Sequence, residues 1–232
     1  MSTIICATDT TGAVCFEKIA KEHNRQAIPL IDKQNTQSQE DSICWRKESP
    51  ISAKTAIIKA EKKYKRIDEV LYYFNEESLC KAMKSVNAHD CLKILEEECA
   101  GFQFLVLELL SRFSEQKKED RAKLIFLIRK NFSLIELLQN SMDLSLGSAP
   151  HVSAAAASFM AFAENIATFY EGKGIADFYL VHTDCADENF KSDEELAKWL
   201  FQYLDESDAK RKSGVQWIKA GSRASRFSLF GR

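Results

Sequence analysis

Short apolar runs alternate with stretches of helical period along the whole of this chain. Residues 3–7 (TIICA) form an apolar run of buried-strand length, and the segment after the TDTTG turn places Val14, Phe16, Ile19 and Ala20 at helical spacing. The same alternation returns. Gln26–Ile31 and Ser42–Trp45 read as strands, 51–65 as a lysine-rich amphipathic helix, and Glu69–Phe74 (EVLYYF) as a strand of β-branched and aromatic residues. Two helical stretches follow at 78–86 and 88–113, the second with the apolar face Leu92, Leu95, Cys99, Phe102, Leu105, Val106 and Leu109. Residues 123–128 (KLIFLI) are a strand, 151–171 an alanine-rich helix, 175–181 a strand, 193–205 a helix and Val215–Ile218 a last short strand.

Strands that are apolar on both faces and separated by helices imply a parallel sheet covered on both sides. The expected fold is α/β, a Rossmann-like doubly wound parallel sheet. It occupies a single domain over 1–222, followed by a C-terminal tail at 223–232. A chain of 232 residues that is 45% hydrophobic buries a core of that size without help from disulfides or metals.

Charge narrows the partners. With 32 basic and 34 acidic residues the formal net charge is −2, so the chain as a whole carries no electrostatic footprint for nucleic acid. The 7 cysteines lie without a CxxC pair, which predicts free thiols in a reducing cytoplasm and no metal site. Charges interrupt the apolar runs before the ~20 residues that a bilayer requires, so no membrane association is expected.

The order and spacing of these segments resemble the short-chain dehydrogenase/reductase family over almost the whole chain. The first strand, phosphate loop and helix of that family look like TIICATDTTGAVCFEKIAKE, and its fourth strand resembles RIDEVLYYFNEES. FYEGKGI with its strand and SDEELAKWLFQYLDESDAKRKSGVQWIKAG resemble the sixth strand, last main helix and closing strand.

The resemblance implies a nicotinamide dinucleotide at a glycine-rich loop, a tyrosine with a lysine four positions later, and a substrate-orienting serine. The residues depart from all three. The loop reads Thr8, Asp9, Thr10, Thr11, Gly12, where Gly12 matches the glycine that packs helix on strand, and Thr10 and Cys6 stand where the other two glycines would. Side chains there crowd a pyrophosphate, and Asp9 repels it. The tyrosine and lysine positions fall on Val152 and Ala156, or with one residue of slip on His151 and Ala155, and no lysine occurs between Lys130 and Lys173. His151, Ser133 and Tyr72 remain as catalytic candidates, with Asn131 and Tyr73 as further options.

Loss of all three elements points to a non-catalytic relative of the enzyme family acting as an oligomeric interaction scaffold, with no cofactor expected. The alternatives are a divergent oxidoreductase using NAD or NADP on a carbonyl or enoyl substrate, and a small-molecule sensor. The resemblance implies that helices 88–113 and 151–171 build a homodimer or homotetramer, or a mixed oligomer with an active relative. Phe102, Leu105, Leu109, Ala155, Phe159, Phe162 and Ile166 are the predicted interface.

Overall fold

A computed structural model describes residues 1–32, 41–82, 87–115, 121–130, 149–207 and 215–223. Seven strands form one sheet: β1 (Ser2–Ala7), β2 (Gln26–Ile31), β3 (Ile43–Cys44), β4 (Glu69–Asn75), β5 (Ala122–Lys130), β6 (Ala176–Asp184) and β7 (Trp217–Lys219). Their order is β3-β2-β1-β4-β5-β6-β7 and every pairing is parallel. The fold class and the single α/β sheet expected from the alternation are therefore present.

The helices are α1 (Thr10–Glu22), α2 (Pro50–Tyr64), α3 (Glu76–Ala82), α4 (Ala88–Ile94), α5 (Gly101–Phe113), α6 (Ala149–Tyr170) and α7 (Asp193–Ser207). Their starts are written locally. Asp9, Ser49 and Asn87 cap α1, α2 and α4 with side-chain oxygens that accept from backbone amides, and Pro50 supplies a preset first turn. One stretch differs from expectation. The helix predicted over 88–113 is broken by a π-helical segment at Leu95–Ala100.

Side chains alternate between two cores. Val70, Tyr72 and Phe74 of β4 join Leu124 and Phe126 of β5 beneath α2, α5 and α6, while Leu71 and Tyr73 join Ile125 and Leu127 beneath α1 and α7. α6 is long and apolar enough by length and composition to cross a membrane, contrary to the reading that no run is. Its composition has a local cause, since Val152, Ala155, Ala156, Phe159, Ala163 and Ala167 are buried in the first core.

This burial corrects the predicted interface. Phe102, Leu105, Leu109, Ala155 and Phe159 all lie within the chain's own core, and only Phe162 and Ile166 of that set are partly exposed. Helical periodicity marks an apolar face without saying what covers it. Here the sheet does.

At the amino ends of the strands sits a buried charge network. Glu69 is fully buried and receives Arg25 Nε at 2.7 Å, Thr3 Oγ1 at 3.0 Å and Lys123 Nζ at 3.4 Å. Arg25 also donates to Asp205 of α7 at 2.7 Å and lies over the Phe201 ring. Two cations and three donors around one carboxylate satisfy the condition under which a buried charge is tolerated.

Candidate functional site

β1 and β4 are neighbours, and their connections leave in opposite directions along the sheet, so a crevice opens beyond their carboxyl ends. Open α/β sheets bind ligands at this switch point. One wall is the β1–α1 turn. Thr8 donates its amide to Tyr73 O at 3.0 Å and accepts from Asn75 N at 3.1 Å through Oγ1, which ties the turn to the end of β4. Gly12 makes the close approach the sequence suggested: a Cβ there would lie 3.1 Å from the Tyr73 ring. Thr10 opens α1.

Asp9 behaves differently from a phosphate-loop residue. Its Oδ1 accepts from Gly12 N at 2.6 Å, so the carboxylate has taken an amide that an anion at a helix start would use. Its Oδ2 is buried without a hydrogen-bond partner among the described residues.

The second wall comes from residues the sequence reading did not single out. Lys47, three positions past β3, is buried and donates to Glu98 Oε1 at 2.6 Å and to Thr8 O at 3.2 Å. Glu98 belongs to the π-helical segment, and its Oε2 has no hydrogen-bond partner among the described residues. Gly101, just beyond, lets the helix approach so closely that a Cβ would lie 2.9 Å from Lys47 O. Burial pushes the Glu98 carboxyl upward against the pull of Lys47, and Asp9 and Asp32 push the same way. Asp32 directly follows β2. It stands about 20 residues after Gly12, the separation at which dinucleotide folds place the acidic residue that takes the ribose hydroxyls. That signal was present in the sequence and passed over.

The third side is the start of α6. Val152 and Ala156, at the positions the resemblance gives to tyrosine and lysine, are 0% and 1% exposed and face the core. His151 is half-buried in the first turn. Ser153 donates to Glu76 Oε1 at 2.7 Å, which binds the start of α6 to the start of α3, directly after β4. On β6, His182 is half-buried and packs edge-on against Trp217; burial holds its imidazole below the ordinary range, and Lys219 and Lys130 add to that. Beneath the crevice, Arg129 binds Asp193 at 3.0 Å and the carbonyls of Phe190 and Lys191, fixing the β6–α7 connection.

Two catalytic candidates are corrected by this geometry. Tyr72 points into the first core, stacked 5.0 Å from Phe126, and Tyr73 lies between α1 and α7 with its hydroxyl on Asp193 at 2.5 Å. Burial pushes both phenols well above their usual range, with Asp193 adding at Tyr73. Neither can exchange a proton with a ligand in the crevice. Ser133 and Asn131 lie outside the described residues, as does most of the 223–232 tail. No group of His, Cys, Asp and Glu among the described residues could hold a metal ion.

No family model matches this sequence, and no curated protein does. Solved structures do. A putative short-chain dehydrogenase/reductase family oxidoreductase from Aeromonas hydrophila superposes with a TM-score of 0.63 at 15% identity, covering 95% of this chain and 98% of that one. The 3-ketoacyl-(acyl-carrier-protein) reductase of Brucella melitensis, solved with NADH, gives 0.62 at 10% identity, covering 97% and 98%. This is the short-chain dehydrogenase/reductase fold. A third match, the NADH-dependent reductase A1-R′ complexed with NAD, gives 0.62 at 12% identity, covering 86% and 87%.

Two of these three hold a nicotinamide dinucleotide, which overturns the expectation that this scaffold goes without a cofactor. The residues of the crevice fit the nucleoside half of such a molecule. Asp32, Asp9 Oδ2 and Glu98 Oε2 are acceptors, and the latter two are buried with no donor, which ribose hydroxyls and the adenine amino group would supply.

Proposed function

We propose that this chain is an oxidoreductase that binds a nicotinamide dinucleotide, NAD in preference to NADP, beyond the carboxyl ends of β1, β2 and β3. The observation that carries this reading is Asp32 at the end of β2, on the same crevice as Gly12 and the two unpartnered carboxylate oxygens. A carboxylate there accepts from both ribose hydroxyls and repels a 2′-phosphate. When bound, the nicotinamide supplies the hydride.

The chain's own residues hold the ligand and handle the proton. Gly12 admits the backbone close to Tyr73, and Thr8 keeps the turn fixed on β4. His151 is the proton-transfer group of this site, held at the start of α6 by the adjacent Ser153–Glu76 bond. A carbonyl or enoyl substrate fits this division of labour, since its reduction needs one hydride and one proton.

Calorimetric titration tests the reading. NADH is expected to bind more tightly than NADPH, and Asp32→Ala to weaken NADH about tenfold, the value of a charge-assisted hydrogen bond. Folded protein giving no heat with millimolar NADH would sink it.

The burial of Val152 and Ala156 favours a second reading, in which the dinucleotide is structural and the chain serves as an interaction scaffold. That reading gains if NADH binds while a panel of carbonyl and enoyl compounds consumes none. Self-association accompanies either reading. Leu92 of α4, Leu95 of the π-helical segment and Leu107 of α5 are 58%, 51% and 51% exposed, and Phe169 of α6 is 63% exposed beside partly exposed Phe162 and Ile166. These, rather than the core residues named earlier, are the proposed contact. Light scattering at micromolar concentration is expected to give at least twice the chain mass, and a monomeric mass would remove the proposal.

A further inference from the structure

The dinucleotide reading leaves the pyrophosphate without its usual amides, because Asp9 occupies Gly12 N and adds a negative charge beside it. A ligand with two phosphates needs a cation in that turn. Lys47 provides one: its ammonium is 3.2 Å from Thr8 O, inside the β1–α1 turn itself, although the residue arrives from beyond β3. Lysine carries three N–H donors, and the described partners, Thr8 O and Glu98 Oε1, use two.

The way Lys47 is held is unusual for a merely structural pair. Glu98 reaches it from a π-helical segment, a rare element that is frequent at functional sites. Gly101, directly after that segment, lets the start of α5 close onto the Lys47 backbone. Yet Glu98 Oε2 is buried with no hydrogen-bond partner among the described residues, so the pair is closed around Lys47 but incomplete there on the other oxygen.

Resting on the dinucleotide reading, we propose that Lys47 is the phosphate-binding group of this crevice, replacing the loop amide that Asp9 has taken, with Glu98 as the counter-ion it exchanges for the incoming phosphate. As Lys47 turns to the phosphate, Glu98 takes up a proton from solvent on Oε1, the oxygen Lys47 has left, so that the buried carboxyl is neutral and Oε2 stays an acceptor. The protein thus keeps a charge ready in the turn at no cost of an unpaired ammonium while the crevice waits.

Adenosine and ADP separate this role from nucleoside binding, since they differ only in the phosphates. Calorimetry on the full chain is expected to show ADP binding about tenfold more tightly than adenosine. In K47M/E98Q, which leaves no buried charge unpaired, the two ligands are expected to bind alike, and in E98Q the preference for ADP is expected to rise. An undiminished preference in K47M/E98Q, with adenosine still bound, overturns the role of Lys47 and leaves the dinucleotide reading standing. A wild-type ratio near one does the same. Absence of heat with both ligands on folded wild-type protein overturns both. If circular dichroism shows that K47M/E98Q does not fold, E98Q decides, because an ADP preference that does not rise there contradicts the exchange.

Discussion

Replacing Glu69 with alanine is expected to lower folding stability by about 3–5 kcal/mol, the usual result of removing one partner from a buried ion pair. The carboxylate is fully buried at the first residue of β4, and it holds Arg25, Lys123 and Thr3 together. Without it, Lys123 keeps a charge at 7% exposure, and Arg25 retains the half-exposed Asp205, the His23 carbonyl at 3.4 Å and its contact with Phe201. The loss comes chiefly from these two buried cations losing the Glu69 carboxylate. Exchange of Glu69 for leucine together with Lys123 for methionine is therefore expected to recover the part due to Lys123, while Arg25 still lacks its Glu69 partner. Denaturant unfolding measures both. A loss below about 1 kcal/mol in the single variant would mean that the network carries a surface pair's worth of energy instead.

Exchange of His151 for alanine is expected to lower kcat by about 10²–10⁴-fold, the range for loss of a general acid, while NADH affinity stays unchanged. Burial removes the other candidates. Tyr72 and Tyr73 are sealed in the two cores, and Val152 and Ala156 have no protons to give. His151 is half-buried, at the end of α6 that borders the crevice, beside the Ser153–Glu76 tie. Tyr72→Phe serves as the contrast. Its hydroxyl has no partner, so its removal should leave turnover unchanged and hold or raise stability by about 1 kcal/mol. If Tyr72→Phe stops turnover and His151→Ala does not, the assignment is reversed. Stopped-flow or steady-state NADH consumption with a carbonyl substrate provides the reading.

Much of the scaffold was legible because its determinants are local. TIICA, EVLYYF and KLIFLI are short, apolar on both faces and bounded by polar turns, which only a strand in a doubly covered sheet accommodates. Asp9, Ser49 and Asn87 announce helix starts by chemistry that acts within three residues. The helix read over 88–113 failed at one place, since a π-helical turn adds a residue without disturbing the apolar pattern on either side. The predicted interface failed for a related reason. Phe102, Leu105 and Leu109 were correctly seen as an apolar face, but that face meets Tyr72 and Phe126 rather than a second subunit.

The site divided in the same way. Gly12 and the turn around it could be placed from the sequence, and Asp32 could have been, because its distance from Gly12 is fixed by one strand–helix–strand unit. Lys47 and Glu98 could not. They are 51 residues apart on separate elements, and nothing in the local pattern distinguishes them from the solvated charges around them.

The sequence alone thus determined a parallel α/β sheet, the location of its first turn and the absence of the tyrosine–lysine pair, since backbone preference and apolar periodicity act over a few residues. Only the tertiary structure decided which charges become neighbours. Asp9 on its helix cap, Lys47 against Glu98 and Glu69 among its cations acquire their chemistry from burial and from contacts that form after the chain has closed.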